Sequence, residues 1–316
     1  MAKLYVIMYH YIRSLKSSRY PEIRGLDLEL FRQQLAFLKE HFTILKTEEV
    51  LALGSADELK QDSVLLTFDD GYIDHYTNVF PLLKAENIPG FFSMPGRIIR
   101  EKKVLDVNKI HFILASAPVE KIKAMAFKQL DHYRGAEFDI PPNAELYEKL
   151  AKANRFDSGD VIFIKRLLQA ELPERLRNRI TEELFRVFID LPEAAFADEL
   201  YMNLDQVRLM KQQGMDFGIH GYDHYWMNRL EGDALKKDIE AALDVFDGVI
   251  DANQWVCCYP YGSCSDPVIA QIKKMGASAG LATEVRAYVP GTDDMFRIPR
   301  LDTNDFPPKS EEYLKY

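Results

Sequence analysis

Two segments of the 316-residue chain join apolar runs to metal-binding or acid–base side chains. Val64-Leu-Leu-Thr-Phe ends in Asp69-Asp70-Gly71, and Phe217-Gly-Ile ends in His220-Gly-Tyr-Asp-His224. Two carboxylates at the end of an apolar strand can both reach one cavity where the chain leaves a sheet, and Gly71 allows the turn. An Asp-Gly turn with solvated carboxylates is the plainer reading of the first segment alone. Two histidines four apart can converge on one ion, and two imidazoles with one carboxylate leave positions open for water and substrate. A third segment, Trp255-Val-Cys-Cys-Tyr259-Pro260-Tyr261-Gly262, runs from a strand into a turn whose main-chain N–H near Tyr261 would suit an oxyanion, or which is a simple turn with two packing tyrosines. With one such histidine pair following a strand just as the aspartate pair does, a bound metal is the favoured reading.

These side chains need a scaffold that ends several strands at one face. Apolar runs at Leu4–Met8, Val64–Phe68, Gly90–Met94, Phe217–Ile219, Trp255–Tyr259, Ala279–Ala282 and Phe296–Leu301 read as buried strands. Amphipathic stretches at Leu28–His41, Leu204–Gln213, Ala234–Phe246 and Pro267–Met275 lie among them, two of them stopping at Gly214 and Gly276. Alternating strand and helix predicts an α/β fold with a largely parallel sheet. Residues 101–200 break the rhythm with helical spacing and almost no strand signal, and read as a helical insertion with a polar break near Asp139–Asn143. The expected division is 1–100 and 201–316 for the α/β domain and 101–200 for the insertion. The Pro307-Pro308 tail reads as loosely held.

A hydrophobic content of 47% supports a large core, and a formal net charge of −9 disfavours nucleic acid as a partner. Cys257, Cys258 and Cys264 are odd in number and crowded into eight residues, which favours free thiols in a reducing compartment over disulfides. A zinc site made of these three is disfavoured because neighbouring strand side chains face opposite ways. The N-terminus lacks the pattern of a signal peptide, and no segment reaches the ~20 apolar residues of a membrane span. A cytoplasmic location is therefore expected.

Together the three segments resemble the polysaccharide deacetylases with the NodB homology domain, carbohydrate esterase family four. The family's T-F-D-D-G appears as Thr67–Gly71, its H-(S/T)-x-x-H as His220–His224, and its P-Y-G as Pro260–Gly262. The resemblance covers roughly 1–100 and 201–305, and it implies a distorted (β/α) barrel. It also implies Asp70, His220 and His224 as ligands of a divalent metal, zinc first and cobalt, nickel or manganese as alternatives. Asp69 becomes the general base and the Tyr261 N–H the oxyanion donor, with Pro260 and Tyr261 as substrate contacts. The aromatics Tyr222, Tyr225 and Trp226 around the second motif are read either as stacking on a sugar ring or as sealing the core.

Three departures from the family pattern carry their own expectations. Gly221 replaces the usual Ser or Thr. The arginine ahead of the third motif is absent, with Asn253-Gln254-Trp255 in its place, so Arg297 or Arg300 is expected to pair with Asp69. The late L-x-x-H is also missing, but Val6-Ile-Met-Tyr-His10-Tyr11 resembles a permuted subgroup acting on biofilm glucosamine polymers, which makes His10 the acid. The expected reaction removes an N-acetyl group from an acetamido sugar or glycan precursor. A cytoplasmic location favours a small or carrier-linked sugar over mature polymer. Hydrolysis of a cyclic ureide or formamide, or glycan binding without turnover, are the alternatives. Of the remaining histidines, His41 and His132 read as surface residues, His111 as a buried structural one, and His75 as packed or solvent-facing.

Overall fold

The computed structural model describes residues 2–154, 157–230 and 232–316. They form two compact units: 1–14, 25–103 and 197–316 in one, and 15–24 with 104–196 in the other.

The first unit is a distorted (β/α) barrel. Its strands are β1 (Leu4–Tyr9), β2 (Thr43–Ile44), β3 (Ser63–Phe68), β4 (Phe91–Met94), β5 (Asp216–Ile219), β6 (Trp255–Cys258), β7 (Ala277–Leu281) and β8 (Leu301–Asp302). They pair in parallel in the order β8-β1-β3-β4-β5-β6-β7, with β2 beside the start of β3 and β4 beside its end. Ile298 bridges Leu281 while Leu301 pairs with Ile7, so this one segment links β7 to β1. All six residues of β3 are buried, as a parallel strand covered on both faces requires. Leu4, Val6, Leu65, Phe91, Val256, Ala279 and Leu281 pack in one cluster.

Helices α1 (Leu28–His41), α2 (Phe80–Ala85), α3 (Leu204–Gln212), α4 (Ala234–Val245) and α5 (Asp266–Lys274) lie between strands. Their starts follow local chemistry. Asp27 Oδ1 accepts the Glu29 amide at 3.0 Å to cap α1, and Asn203 and Gln206 form a reciprocal capping box on α3. Phe31, Leu35 and Leu38 make the buried stripe of α1.

The predicted strand over Phe296–Leu301 is corrected. Met295–Arg297 is a 3₁₀ turn, because Asp294 Oδ1 accepts the Phe296 amide at 2.9 Å and Pro299 has no N–H to extend a ladder; only Leu301–Asp302 is strand. The tail is also held more firmly than expected. Phe306 is fully buried, stacks on Tyr313 at 4.8 Å, and meets Tyr5 edge-on at 5.9 Å.

The second unit's long helices span Asp106–Ser116, Val119–Tyr133, Asn143–Leu150, Gly159–Arg166 and Glu174–Phe188. Residues 139–142 are non-helical. Leu176, Ile180 and Leu184 recur every fourth residue on its last long helix and are fully buried. Lys109 is buried against Glu193 at 2.9 Å. Residues 15–24 join this unit although residues 25–103 separate them from the rest of it.

Candidate active site

Strand register brings the motifs to one level. Tyr9 pairs with Phe68, so His10 and Asp69 are the next residues along adjacent strands, and the Asp69 amide bonds to the Tyr9 carbonyl at 2.9 Å. Met94 pairs with Ile219 and Ile219 with Cys257, which sets His220, just past the carboxyl end of β5, beside Cys258, the last residue of β6. Parallel barrels build their sites at this end. Asp70, His224 and Tyr261, one from each motif, adopt left-handed backbone with φ of 73°, 60° and 58°. That conformation is costly outside glycine and collects at functional turns.

Asp70, His220 and His224 lie within 4.8 Å of one another by their ligand atoms, and all three are buried. Asp70 Oδ1 is 3.5 Å from His220 Nε2 and 3.3 Å from His224 Nε2. His220 Nδ1 sits 2.7 Å from the Cys258 carbonyl, which can only accept, so Nδ1 carries a proton and Nε2 is the atom turned toward Asp70. The Tyr72 hydroxyl donates to the other oxygen of Asp70. Two imidazole nitrogens and a carboxylate oxygen converging in a buried space are the donor types that hold a divalent ion, so the set fits one. Burial alone would raise the Asp70 carboxyl, but His224, His10 and His220 hold it well below the usual carboxylate range.

Asp69 has different partners. Arg300 Nη1 lies 2.8 Å from its Oδ2 and 3.0 Å from its Oδ1, and Ser93 Oγ donates to Oδ1 at 2.7 Å. Burial works to raise Asp69, and the Arg300 charge, followed by His220, His10 and Ser93, overcomes it to bring the carboxyl down to about 2. Of the two arginines expected near Asp69, Arg300 makes the pair; Arg297 instead reaches Asp266 and lies 3.6 Å from Cys264 Sγ. Arg300 is itself 1% exposed, and its Nε donates to the Ala282 carbonyl at 2.9 Å.

Cys258 occupies an unexpected place. Its Sγ is 3.4 Å from Asp69 Oδ1, and Asp69, His220 and Cys258 also lie within metal-binding reach of one another. Burial pushes the Cys258 thiol up, so it stays an S–H donor and not a thiolate ligand; the trio around Asp70 is the better ion site. All three cysteines are free, and Cys257 faces Met227 at 3.9 Å.

The loop between the two histidines is held by Asp238 of α4, which accepts from the Tyr222 amide at 3.0 Å and the Asp223 amide at 3.2 Å. Gly221 has φ +69°, and a Cβ there would stand 3.0 Å from Asp238 Oδ2, which accounts for glycine where a hydroxyl residue was expected. The Tyr222 hydroxyl reaches Glu101 at 2.9 Å. Tyr261 stacks on Trp226 at 4.6 Å with 9° between planes and meets the His224 ring edge-on at 4.7 Å. Pro260, which opens that turn, is buried.

His10 is half-buried, and its charge is felt by both Asp69 and Asp70. His41 and His132 are exposed and His111 is half-buried, not buried.

His75 is fully enclosed, and burial pulls it down to about 4. An unfolded histidine titrates near about 6.5. Between those values the unfolded chain takes up a proton that the folded chain refuses, so stability is complete above about pH 6.5 and falls as pH drops toward 4. The gap corresponds to about 3 kcal/mol. Urea unfolding at pH 7 and pH 4.5 should therefore show a smaller stability difference for His75→Gln than for wild type. An equal difference in both proteins would contradict this.

Sequence reading passed over Ser93, Tyr72, Cys258 and Asp238. A lone serine within the apolar run Phe91-Phe-Ser-Met was a signal for Ser93, whereas Asp238 looks like any other polar position of an amphipathic helix.

With this geometry in place, comparison with known proteins is decisive for the family. The polysaccharide deacetylase profile matches residues 56–126 and 190–280. The chain belongs to the polysaccharide deacetylase family. A family relative, YxkH of Bacillus subtilis (strain 168), a polysaccharide deacetylase by name, is 33% identical over 103 residues, which are 32% of this chain and only 35% of that protein's length. Among solved structures, the Streptococcus pyogenes deacetylase PplD, in complex with acetate, superposes with a TM-score of 0.58 at 18% identity, covering 99% of this chain and 97% of that one. IcaB from Ammonifex degensii gives 0.53 at 17% identity, covering 97% and 95%. A de-N-acetylase from Aggregatibacter actinomycetemcomitans gives 0.56 at 15%, covering 99% and 100%. At these identities the likeness shows a common fold. No helix among the described residues is long and apolar enough to cross a membrane.

Proposed function

We propose that this family member is a divalent-metal-dependent N-deacetylase that hydrolyses the N-acetyl amide of an acetamido sugar or glycan precursor to acetate and a sugar amine. The observation that carries the reading is the convergence of two imidazole Nε2 atoms on Asp70 Oδ1, next to a second carboxylate that Arg300 holds ionised. Asp70, His220 and His224 would hold the ion, zinc first among candidates, which supplies Lewis-acid chemistry by acidifying water and polarising an amide carbonyl.

The chain's own groups divide the remaining work. Asp69 takes the proton of the attacking water, and Arg300, Ser93 and Cys258 orient it without themselves accepting that proton. The main-chain N–H of Tyr261 donates to the oxyanion that forms as the water oxygen bonds to the acetyl carbon. His10, as imidazolium, then protonates the departing nitrogen as the C–N bond breaks. The stacked Trp226 and Tyr261 rings, with Pro260 opening the turn that carries Tyr261, give one face for a sugar ring, while the Tyr222 hydroxyl reaches Glu101.

Acetate release measured across N-acetylglucosamine oligomers, UDP-N-acetylglucosamine and a lipid-linked acetamido sugar, beside hydantoin and a formamide, tests the reaction class. Acetate from at least one acetamido sugar is expected. Turnover of only the ureide or the formamide would replace this reading.

Tyr72 has a specific part in it. Burial, reinforced by Asp70, holds its hydroxyl well above the usual range, so it remains a donor to Asp70. Tyr72→Phe should weaken zinc binding by about 10- to 100-fold in competition with a chelator, as loss of a ligand's supporting hydrogen bond does elsewhere. Unchanged affinity would show that Tyr72 does not tune the site.

A further inference from the structure

The chain leaving β1 is tied to a single helical turn by four hydrogen bonds. His75 Nε2 lies 2.9 Å from the His10 carbonyl; Asp74 Oδ2 accepts from the Ile12 amide at 3.2 Å and from Arg13 Nε at 2.7 Å; Asn78 Nδ2 donates to the Ile12 carbonyl at 2.8 Å. These residues stand at the head of, or within, a five-residue π-helical turn, His75–Val79, an uncommon geometry that recurs at functional sites.

The His75 ring is wholly buried and meets Phe68 and Tyr72 edge-on at 5.6 Å each. A carbonyl only accepts, so Nε2 carries the hydrogen, and Nδ1, with no hydrogen-bond partner among the described residues, carries the lone pair. Burying an imidazole among aromatic rings is costly without hydrogen bonds, and the one His75 makes goes to His10. Hydrophobic packing alone would be met better by leucine or phenylalanine.

We propose that His75 is a positioning residue: its Nε2–H, together with Asp74 and Asn78 on Ile12, fixes the backbone of residues 10–12 and thereby the point from which the His10 imidazole delivers its proton to the leaving amine. This rests on the reading of His10 as the acid. Proton delivery matters for an amine and little for a phenolate, which departs unaided, so displacement of His10 has a distinctive kinetic signature.

The test compares hydrolysis of the N-acetylglucosamine trimer with hydrolysis of 4-nitrophenyl acetate by the metal-loaded full chain. His75→Leu should lower kcat on the amide by about 10- to 100-fold, a penalty typical of a misplaced catalytic group, with KM and the ester rate changed less than about threefold. His75→Gln, which returns an N–H donor, should recover most of the amide loss. Combining His75→Leu with His10→Ala should add little to His10→Ala alone, because both act on one step. Should His75→Leu fail to fold, Asn78→Ala removes the neighbouring clamp from a half-buried position and should show the same amide-selective loss in smaller degree. Equal losses on amide and ester in these variants, while His10→Ala remains amide-selective, would overturn the role of His75 alone. Equal losses in His10→Ala would remove the acid assignment, and the positioning role with it.

Discussion

Asp69→Asn is expected to lower kcat for amide hydrolysis by about a thousandfold while leaving zinc binding within about threefold of wild type. A positioned general base contributes roughly 10²- to 10⁴-fold, and an amide oxygen in its place cannot take up the proton of water. Zinc binding should survive because Asp69 has its own partners, Arg300, Ser93 and Cys258, while Asp70, His220 and His224 face one another. The substitution also leaves the Arg300 guanidinium buried without its countercharge, so a lower Tm is expected alongside. Rates must therefore be taken where circular dichroism shows the variant folded. A folded, metal-loaded Asp69→Asn protein with wild-type kcat would eliminate Asp69 as the base.

The second large effect is on stability. Arg300→Met should reduce the free energy of unfolding by about 3–5 kcal/mol, the range seen when one member of a buried ion pair is removed. Three buried groups lose a partner together: Asp69, the Ala282 carbonyl and Thr67 Oγ1, the last at 3.2 Å. Methionine fills part of the volume but supplies no donor to any of them. Arg300→Lys should recover only part of the loss, because one ammonium cannot reproduce a fork that reaches three acceptors. Without Arg300, Asp69 keeps the burial that raises it and the weaker opposing influences of His220, His10 and Ser93. The carboxyl should then rise, and the variant should lose further stability at higher pH, where its charge has to be buried unpaired. Denaturant unfolding at pH 7 and pH 5 checks both points. A change below 1 kcal/mol would mean that the pair is dispensable to the fold.

Much of this arrangement is legible in the residues themselves. A parallel strand covered on both faces must be continuously apolar, so the abrupt passage from Phe68 to Asp69 and from Ile219 to His220 marks strand ends and site residues in the same stroke. The features that escape sequence reading are tertiary. Arg300 meets Asp69 across 231 residues, and nothing in Phe296–Leu301 separates Arg300 from Arg297 until the 3₁₀ turn at Met295–Arg297 directs one toward Asp266 and the other toward the barrel. His75 sits at what looks like an ordinary helical position, and its burial follows from a π turn that helical periodicity does not encode. The tail is polar enough to read as loose, yet Phe306 and Tyr313 find Tyr5 and Phe42, which no local pattern announces.

The central claim is that amide hydrolysis depends on an ion held by Asp70, His220 and His224. It is tested most directly by stripping the purified protein with a chelator, adding back zinc in measured steps, and following both bound metal and acetate released from the N-acetylglucosamine trimer. Activity should vanish with the metal and return in proportion to occupancy, reaching its plateau at one ion per chain, and Asp70→Asn should abolish both binding and recovery. Full acetate release from the metal-free protein would contradict the account.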